Sequence, residues 1–223
     1  SQGRGQVMVV AERTGAGRAA VDAARNAAPG TGATIVAVET FEFSQQGVVD
    51  ALPRLSETAR NSGAQTLFFS SDTAGALPLL AQLLPDNRVG PPQYQYMGLT
   101  RWDIPAASLQ LSGLQGGWFA KPDPNLTAQF EERYRAAYGA SPHPIAGLAY
   151  DGVAAIGALI SGGRGDALSR AALTQGSGFA GVNGVFRLTP NGHNQRALAI
   201  ATIQDNQVVI LDRAPRSFTG PGF

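Results

Sequence analysis

Polar residues follow two apolar stretches of the sequence, and their side chains are suited to binding a small polar ligand. The first group follows residues 65–69 and the second follows residues 94–99, and the members are Ser70, Ser71, Asp72, Thr100, Arg101, Trp102 and Asp103. If the two stretches are neighbouring parallel strands, these groups share the edge beyond which ligands bind in open α/β sheets. The structural alternative is that Ser71 or Asp72 caps a helix and Trp102 packs against a hinge.

A second segment matches a nucleotide-binding motif. Residues 15–20, GAGRAA, fit the G-x-G-x-x-A variant of the dinucleotide fingerprint, and Glu39 stands about where a ribose-binding acid would be. In that motif the first glycine follows the strand directly, whereas residues 11–14 intervene here. We favour a glycine-rich turn and keep a dinucleotide-dependent oxidoreductase as the enzymatic alternative, which a tight turn over residues 12–17 with a helix N-terminus facing the strand-end cleft would support.

Residues that catalyse reactions or bind metals are scarce. The two histidines, His143 and His193, lack the carboxylate neighbours or helical spacing that general bases and metal ligands show. The absence of cysteine excludes disulfides, thiol catalysis and thiolate metal sites. The nucleophile-elbow and phosphate-loop motifs are also missing from the sequence. We therefore predict a protein without enzymatic activity, cofactor or metal.

The composition gives no indication of a nucleic-acid or membrane-surface partner. Lys+Arg 17 against Asp+Glu 16 leaves a formal net charge of +1, and 43% of the residues are hydrophobic, which is enough for a core. The longest apolar run, residues 153–160, is far shorter than the roughly 20 residues that span a bilayer. We expect neither a nucleic-acid partner nor a direct membrane span.

The elements that would position the polar groups alternate between strand and helix. Strands are predicted at residues 6–10, 34–41, 65–69 and 94–99, and helices at residues 15–28, 46–62 and 74–84. Three successive β-α-β steps predict an α/β fold with a parallel sheet flanked by helices on both faces.

The remaining sequence has a different character, and we interpret residues 97–124 as the crossing between two lobes. Beyond the polar group the predicted elements are a short strand at residues 114–119, helices at residues 124–138, 144–161 and 166–174, a hairpin of residues 186–188 and 196–203, and a last strand at residues 207–212.

The order and spacing of several motifs resemble the type I periplasmic binding proteins of the leucine/isoleucine/valine-binding kind. The matching residues are Gly17-Arg18, Tyr96-Met97-Gly98, GGWF at 116–119 before PDP at 122–124, LAYDGV at 148–153 and the segment 179–192. The resemblance covers nearly the whole chain. It implies a non-enzymatic, periplasmic binding protein that closes on its ligand by bending at residues 99–113 and 179–184.

Two short segments favour one subfamily. Residues 117–119, Gly-Trp-Phe, and residues 214–218, Ala-Pro-Arg-Ser-Phe, are most similar to bacterial lipoproteins that activate penicillin-binding proteins. That resemblance implies a lipid anchor in the full-length protein and regulation of peptidoglycan synthesis through a penicillin-binding protein. The alternative is an uptake receptor for branched-chain amino acids or another small polar ligand, which would serve a membrane permease.

Two departures from the family bear on the ligand. Amino-acid binders of the family carry an aromatic residue where Ala16 stands and an acid where Thr100 and Arg101 stand. Because a cation in place of an anion repels an ammonium group, we expect α-amino acids to bind weakly. With Trp118 and Tyr150 from the matched motifs, the candidate ligand-binding residues are Ser70, Ser71, Asp72, Thr100, Arg101, Trp102, Asp103, Trp118 and Tyr150.

The resemblance also divides the chain. It implies a second lobe with part of the interlobe region, and a first lobe that is largely missing from these residues. The predicted parts are a cleft-side lobe (1–99), a crossing segment with helices that belong against the other lobe (100–182), strands that return to the first-named lobe (183–212) and an irregular tail (213–223). We expect the missing lobe or a partner chain to cover the apolar helices at residues 124–161.

Overall fold

The computed structural model describes residues 3–163 and 165–218, and the chain divides into two compact units. Unit 1 comprises Ser1–Ala120 and Ala201–Ile210, and unit 2 comprises Lys121–Ile200 and Leu211–Phe223. These units differ from the predicted parts at two places, since residues 100–120 lie in unit 1 and residues 183–200 lie in unit 2.

Unit 1 is built on a 7-stranded sheet. Its strands are β1 (Gln6–Glu12), β2 (Thr34–Phe41), β3 (Thr66–Phe69), β4 (Gln95–Gly98), β5 (Trp118–Lys121), β8 (Ala199–Gln204) and β9 (Gln207–Asp212). They lie in the order β2-β1-β3-β4-β5-β8-β9, and β1 to β5 pair in parallel. The predicted parallel α/β sheet is therefore confirmed.

Helices cover both faces of this sheet, as predicted. They are α1 (Gly15–Thr31), α2 (Gln45–Asn61) and α3 (Leu77–Asp86). Successive side chains of β1 point to opposite faces, so Val9 and Ala11 pack with Val21 of α1, whereas Met8 and Val10 enter the larger core that α2 and α3 cover.

Two helices of unit 1 run further than the sequence predicts. The predicted helices 15–28 and 74–84 stop just before Pro29 and Pro85, but both prolines lie inside the observed helices. A proline lacks the N–H donor for the carbonyl four residues before it, so each helix continues past its proline with one backbone hydrogen bond missing. Helix α1 instead ends at Gly32, whose φ of 73° is left-handed.

Unit 2 contains three helices and a small hairpin. The helices are α4 (Pro124–Tyr138), α5 (Ala146–Ser161) and α6 (Arg170–Leu173), and β6 (Phe186–Leu188) pairs antiparallel with β7 (Asn194–Arg196). The predicted strand 196–203 is thus two strands that belong to different sheets. The pairing of β6 with β7 keeps residues 186–196 together in unit 2.

A buried ion pair links the elements of unit 2. The Asp151 carboxylate on α5 accepts hydrogen bonds from the Val182 amide at 2.6 Å and from Arg196 at 2.6 Å. The guanidinium of Arg196 also stacks over the Phe186 ring, 4.6 Å from its centroid. Asp151 is 1% exposed, so its charge depends on these partners for compensation.

Candidate functional site

The carboxyl ends of β3 and β4 bring the two predicted polar groups to one edge of the sheet. Phe69 pairs with Gly98 in parallel register, so the chain leaves both strands at the same level. Ser70 and Ser71 follow β3, and Thr100 lies two residues beyond β4. We call this edge, residues 70–72 and 100–103, the rim.

Four buried polar atoms of the rim have no hydrogen-bond partner in the described part of the chain. They are the Oγ atoms of Ser70 and Ser71, Oγ1 of Thr100 and Nε1 of Trp102. A buried polar group without a partner costs free energy, and most such groups in proteins bind another group or an ordered water. Their concentration at one edge leaves hydrogen-bonding capacity there that no described group of the chain satisfies.

Trp102 forms part of the core beneath the rim. Its side chain is fully buried and stacks on Phe119, with ring centroids 6.0 Å apart and an interplanar angle of 23°. The indole lies against Gly98 and Gly117, where a Cβ atom would come within 2.1 Å and 2.3 Å of it. The aromatic face is therefore covered, as the packing alternative anticipates, and only the indole N–H is left unpaired.

The cation of the rim is neutralised within the chain. Arg101 donates through Nε and NH2 to the two carboxylate oxygens of Asp103, at 2.9 Å and 2.7 Å. This bidentate pair holds both charges together. The expected repulsion between Arg101 and an ammonium group is accordingly weakened, since Asp103 offsets the positive charge.

Asp72 caps the turn that leads to α3. Its Oδ1 accepts hydrogen bonds from the amides of Ala74 at 3.1 Å and Gly75 at 2.7 Å. The capping role that the sequence allowed for Asp72 is thus present, although α3 itself begins three residues later than residue 74.

The two remaining candidate residues lie outside the rim. Trp118 is half-buried on β5, where it pairs with Met97 of β4. Tyr150 belongs to unit 2, where its ring packs against Phe130 with centroids 5.2 Å apart and 47% of the residue is exposed.

The turn after β1 is tight, since the Thr14 amide donates to the Glu12 carbonyl at 2.8 Å, but the groups that would contact a dinucleotide are already occupied. The side chain of Thr14 caps α1 by accepting from the Gly17 amide at 3.0 Å. A Cβ at Gly17 would come within 2.0 Å of the Glu12 carbonyl oxygen, so close packing explains the glycine. Glu39, the predicted ribose ligand, forms an ion pair with Arg54 and accepts from Thr58 at 2.7 Å.

Three residues near the rim escaped the sequence analysis. A Cβ at Gly75 would lie 3.1 Å from Asp72 Oδ1, 3.5 Å from Phe43 Cε2 and 3.6 Å from Glu12 Oε1. Glu12 ends β1, and Phe43 follows β2. The one sequence signal is that Glu12 and Phe43 each lie two residues beyond a predicted strand, whereas Gly75 falls in the predicted helix 74–84. A single sequence does not show which strands are neighbours.

Within the described residues, no three or more acidic, histidine or cysteine side chains group closely enough to bind a metal ion. The described helices also include none with the length and hydrophobicity needed to cross a membrane.

The sequence profile of one family, described as periplasmic binding protein, matches residues 1–207. Among solved structures, a branched-chain amino acid ABC transporter protein from Rhodospirillum rubrum superposes with a TM-score of 0.76 at 19% identity, covering 94% of this chain and 61% of that one. The periplasmic ligand-binding protein of a branched-chain amino acid ABC transporter from Burkholderia xenovorans superposes with a TM-score of 0.70 at 20% identity. The match covers 99% of this chain and 60% of that one.

A third structure, the solute-binding protein of an ABC transporter from R. palustris in complex with benzoate, gives a TM-score of 0.65 at 16% identity, with 98% and 61% covered. This chain therefore spans about 60% of the length of these structures. No curated protein matches the chain. At these identities the structural likeness shows the fold alone.

Proposed function

This chain belongs to the periplasmic binding protein family, and we propose that it is a non-enzymatic ligand-binding module that works in the periplasm. The observation that carries the proposal is the cluster of unpartnered buried polar atoms at the rim: Ser70, Ser71, Thr100 and Trp102. The rim lies where ligands bind in open parallel sheets.

The chemistry of the rim suits a ligand with hydrogen-bonding groups. A hydroxyl both donates and accepts, whereas the Trp102 indole only donates, so the group that faces it must be an acceptor. Binding would replace missing hydrogen bonds of already buried atoms, and little desolvation of the protein would oppose it.

The test is calorimetric titration of the chain with ʟ-leucine, benzoate, glycerol and n-butylammonium chloride. We expect at least one of these solutes to bind. The double variant Ser71→Ala/Thr100→Val should weaken that binding about fivefold or more through two lost hydrogen bonds.

The matched control is Ser56→Ala/Thr202→Val, because those hydroxyls are also buried without a partner but lie away from the rim, on α2 and β8. Equal affinities for the two double variants would contradict a ligand site at the rim.

For the biological role we propose regulation of peptidoglycan synthesis, with uptake through a membrane permease as the alternative. The supporting observation is a cavity of about 760 Å³ in unit 2. The cavity is lined by residues of α4 and by Ala214, Pro215 and Arg216, which belong to the segment similar to penicillin-binding-protein activators.

The two roles are distinguished by the rates at which a purified penicillin-binding protein polymerises and cross-links glycan, measured with and without the chain. Faster synthesis is expected, and unchanged rates would favour the uptake role.

We also propose that further polypeptide, a first lobe or a partner chain, covers the apolar surface of α5. Its described surface exposes large apolar side chains, namely Leu148, Tyr150, Val153, Ile156 and Ile160. A contiguous apolar surface of this kind marks an interaction site or an aggregation hazard. Light scattering on the 223-residue chain should show self-association, which Val153→Lys/Ile156→Lys reduces. A stable monomer in both cases would contradict the proposal.

A further inference from the structure

The sequence contains two Asn-Gly pairs, Asn183-Gly184 and Asn191-Gly192, and both lie in unit 2. In such a pair the backbone nitrogen of glycine can attack Cγ of the asparagine side chain, because glycine has no Cβ to hinder the approach and its backbone rotates freely. The surroundings of each pair decide whether this attack takes place. The two pairs can therefore be compared within one folded unit.

Asn191 lies in an exposed turn between β6 and β7. The Gly192 amide closes this turn by donating to the Thr189 carbonyl at 3.0 Å, and Asn191 and Gly192 are both exposed to solvent. Gly192 has a φ of 86°, and a Cβ there would meet no atom within 4 Å. Among the described residues there is thus no obstacle to rotation of the Gly192 nitrogen toward the Asn191 side chain once the hydrogen bond of the turn opens.

Two donors of the same turn bind Oδ1 of Asn191. They are the Thr189 hydroxyl and the His193 amide, the latter at 3.3 Å. The hydroxyl also lies near the His193 carbonyl, but that carbonyl already accepts from the Thr189 amide at 2.8 Å. When Cγ of an amide is attacked, negative charge develops on its oxygen, and donors already in place there stabilise that charge. The turn therefore favours attack on Asn191.

The surroundings of Asn183 prevent the same reaction. Asn183 is 6% exposed, and a Cβ at Gly147 of α5 would come within 2.4 Å of its Nδ2. A Cβ at Gly184 would lie 2.5 Å from the Ala197 carbonyl oxygen. Close packing around both members of this pair leaves no room for the rotation that the attack requires.

We propose that Asn191 is a site of spontaneous deamidation and that Asn183 is not. The Gly192 nitrogen loses its proton to a base from solvent and bonds to Cγ of Asn191, and the Cγ–Nδ2 bond breaks as the side-chain amide leaves as ammonia. Water then adds to one of the two carbonyls of the resulting cyclic imide, and the Gly192 or side-chain connection reopens with a proton returned to nitrogen. In sum one water is consumed, one ammonium ion is released and the amide becomes the carboxylate of aspartate or isoaspartate.

The product carries a new negative charge close to a cation. The Arg170 guanidinium donates to the Pro190 carbonyl, one residue before Asn191. A carboxylate at position 191 is attracted to that guanidinium, whereas the isoaspartate form also adds one carbon to the backbone between β6 and β7. The modification therefore changes both the charge and the backbone length of the turn. This inference is independent of the proposed ligand site, which lies in unit 1.

The test is incubation of the whole chain in warm, mildly alkaline buffer, followed by cleavage after arginine and mass spectrometry. This cleavage places Asn183 on the peptide 171–187 and Asn191 on the peptide 188–196. We expect peptide 188–196 to gain the mass difference between OH and NH2 with time, and peptide 171–187 to stay unchanged. The variant Asn191→Gln should abolish the gain, which assigns it to this residue, and a synthetic peptide 188–196 is the positive control for the conditions.

Thr189→Val tests the contribution of the hydroxyl donor. It should slow deamidation about threefold or more, because Oδ1 loses one of its two donors. The matched control is Thr127→Val on α4, whose hydroxyl donates to the Asp123 carbonyl at 3.0 Å, and it should leave the rate unchanged. The inference would be overturned by equal deamidation of the two peptides, by an unmodified peptide 188–196 from the chain while the synthetic peptide reacts, or by an undiminished rate in Thr189→Val.

Discussion

At the scale of single residues, the indole of Trp102 occupies the volume that a side chain at position 98 would need. A Cβ at Gly98 would come within 2.1 Å of Nε1 and 2.3 Å of Cε2. We therefore expect Gly98→Ala to destabilise unit 1 by about 1–3 kcal/mol through overpacking of a rigid ring. Denaturant unfolding followed by tryptophan fluorescence measures this, since both tryptophans lie in unit 1.

The matched control for Gly98→Ala is Gly30→Ala. Gly30 lies in α1, and a Cβ there would meet no atom within 4 Å. The change should leave stability within about 1 kcal/mol, or raise it slightly, because alanine restricts the unfolded chain. Equal losses at the two positions would show that Trp102 does not pack as described.

Tyr96 gives unit 1 a predictable response to alkaline pH. Its hydroxyl donates to the Val89 carbonyl, and burial raises the pKa of Tyr96 well above the ordinary tyrosine value of about 10. Above about pH 10 the Tyr96 phenol loses its proton in the unfolded chain but keeps it in the folded chain. The free energy of unfolding therefore declines as the pH rises beyond about 10. Unfolding free energies measured between pH 9 and about 11 should fall less steeply for Tyr96→Phe than for the parent chain.

The control for Tyr96→Phe is Tyr138→Phe, because Tyr138 is 71% exposed. Removing the Tyr138 hydroxyl should leave the pH dependence of the unfolding free energy unchanged. If the two variants behave alike, the Tyr96 phenol ionises as readily as an exposed one, which would contradict its burial.

At the scale of elements, one carboxylate connects α5 to the loop before β6 and to β7. Asp151→Ala would leave Arg196 without its buried partner and the Val182 amide without its acceptor. We expect a loss of about 3–5 kcal/mol in unit 2, the usual cost of breaking a buried ion pair from one side. Hydrogen exchange at the amides of Val182 and Asn183 measures it, and both should exchange faster.

The control for Asp151→Ala is Glu131→Ala, which removes an exposed carboxylate from α4. That change should cost no more than about 0.5 kcal/mol and leave the same amides protected. Unchanged protection in Asp151→Ala as well would show that the ion pair does not hold the loop.

The elements best predicted from sequence are those with local signals. Helix α4 has the predicted bounds, because Asp123 caps it, Pro124 fits its first turn and Gly139 takes the left-handed conformation that ends it. Strand β5 begins four residues later than predicted, since residues 112–114 form a 3₁₀ turn and only pairing with β4 defines the strand. Strand partners are not visible in a single sequence.

The candidate site was likewise predictable only where it depends on features close together in the sequence. Placing Ser70, Ser71 and Thr100 at one edge required only that β3 and β4 be parallel neighbours. The burial of Trp102 depends on the space that Gly98 and Gly117 provide together, which arises only in the folded chain. The convergence of Glu12 and Phe43 on Gly75 likewise depends on the strand order β2-β1-β3, which the sequence does not specify.

At the scale of the whole molecule, this family member spans about 60% of the length of its structural neighbours, and the ligand site that we propose lies within unit 1. Every residue of the rim lies in unit 1, so ligand binding by these groups is testable on the chain as it stands. The apolar surface of α5 is a separate feature of unit 2 and is tested separately.

The measurement that tests the central claim most directly is a nitrogen–proton NMR titration of the two tryptophan indole groups. Trp102 carries the unpaired Nε1–H of the rim, and Trp118→Phe identifies its signal by elimination. We predict that any of ʟ-leucine, benzoate and glycerol that binds moves the Trp102 signal downfield, because its N–H gains an acceptor, with the same concentration dependence as calorimetric binding. Saturation by one of these three solutes without movement of the signal, or the absence of binding by all four solutes of the calorimetric test, would contradict a ligand site at the rim.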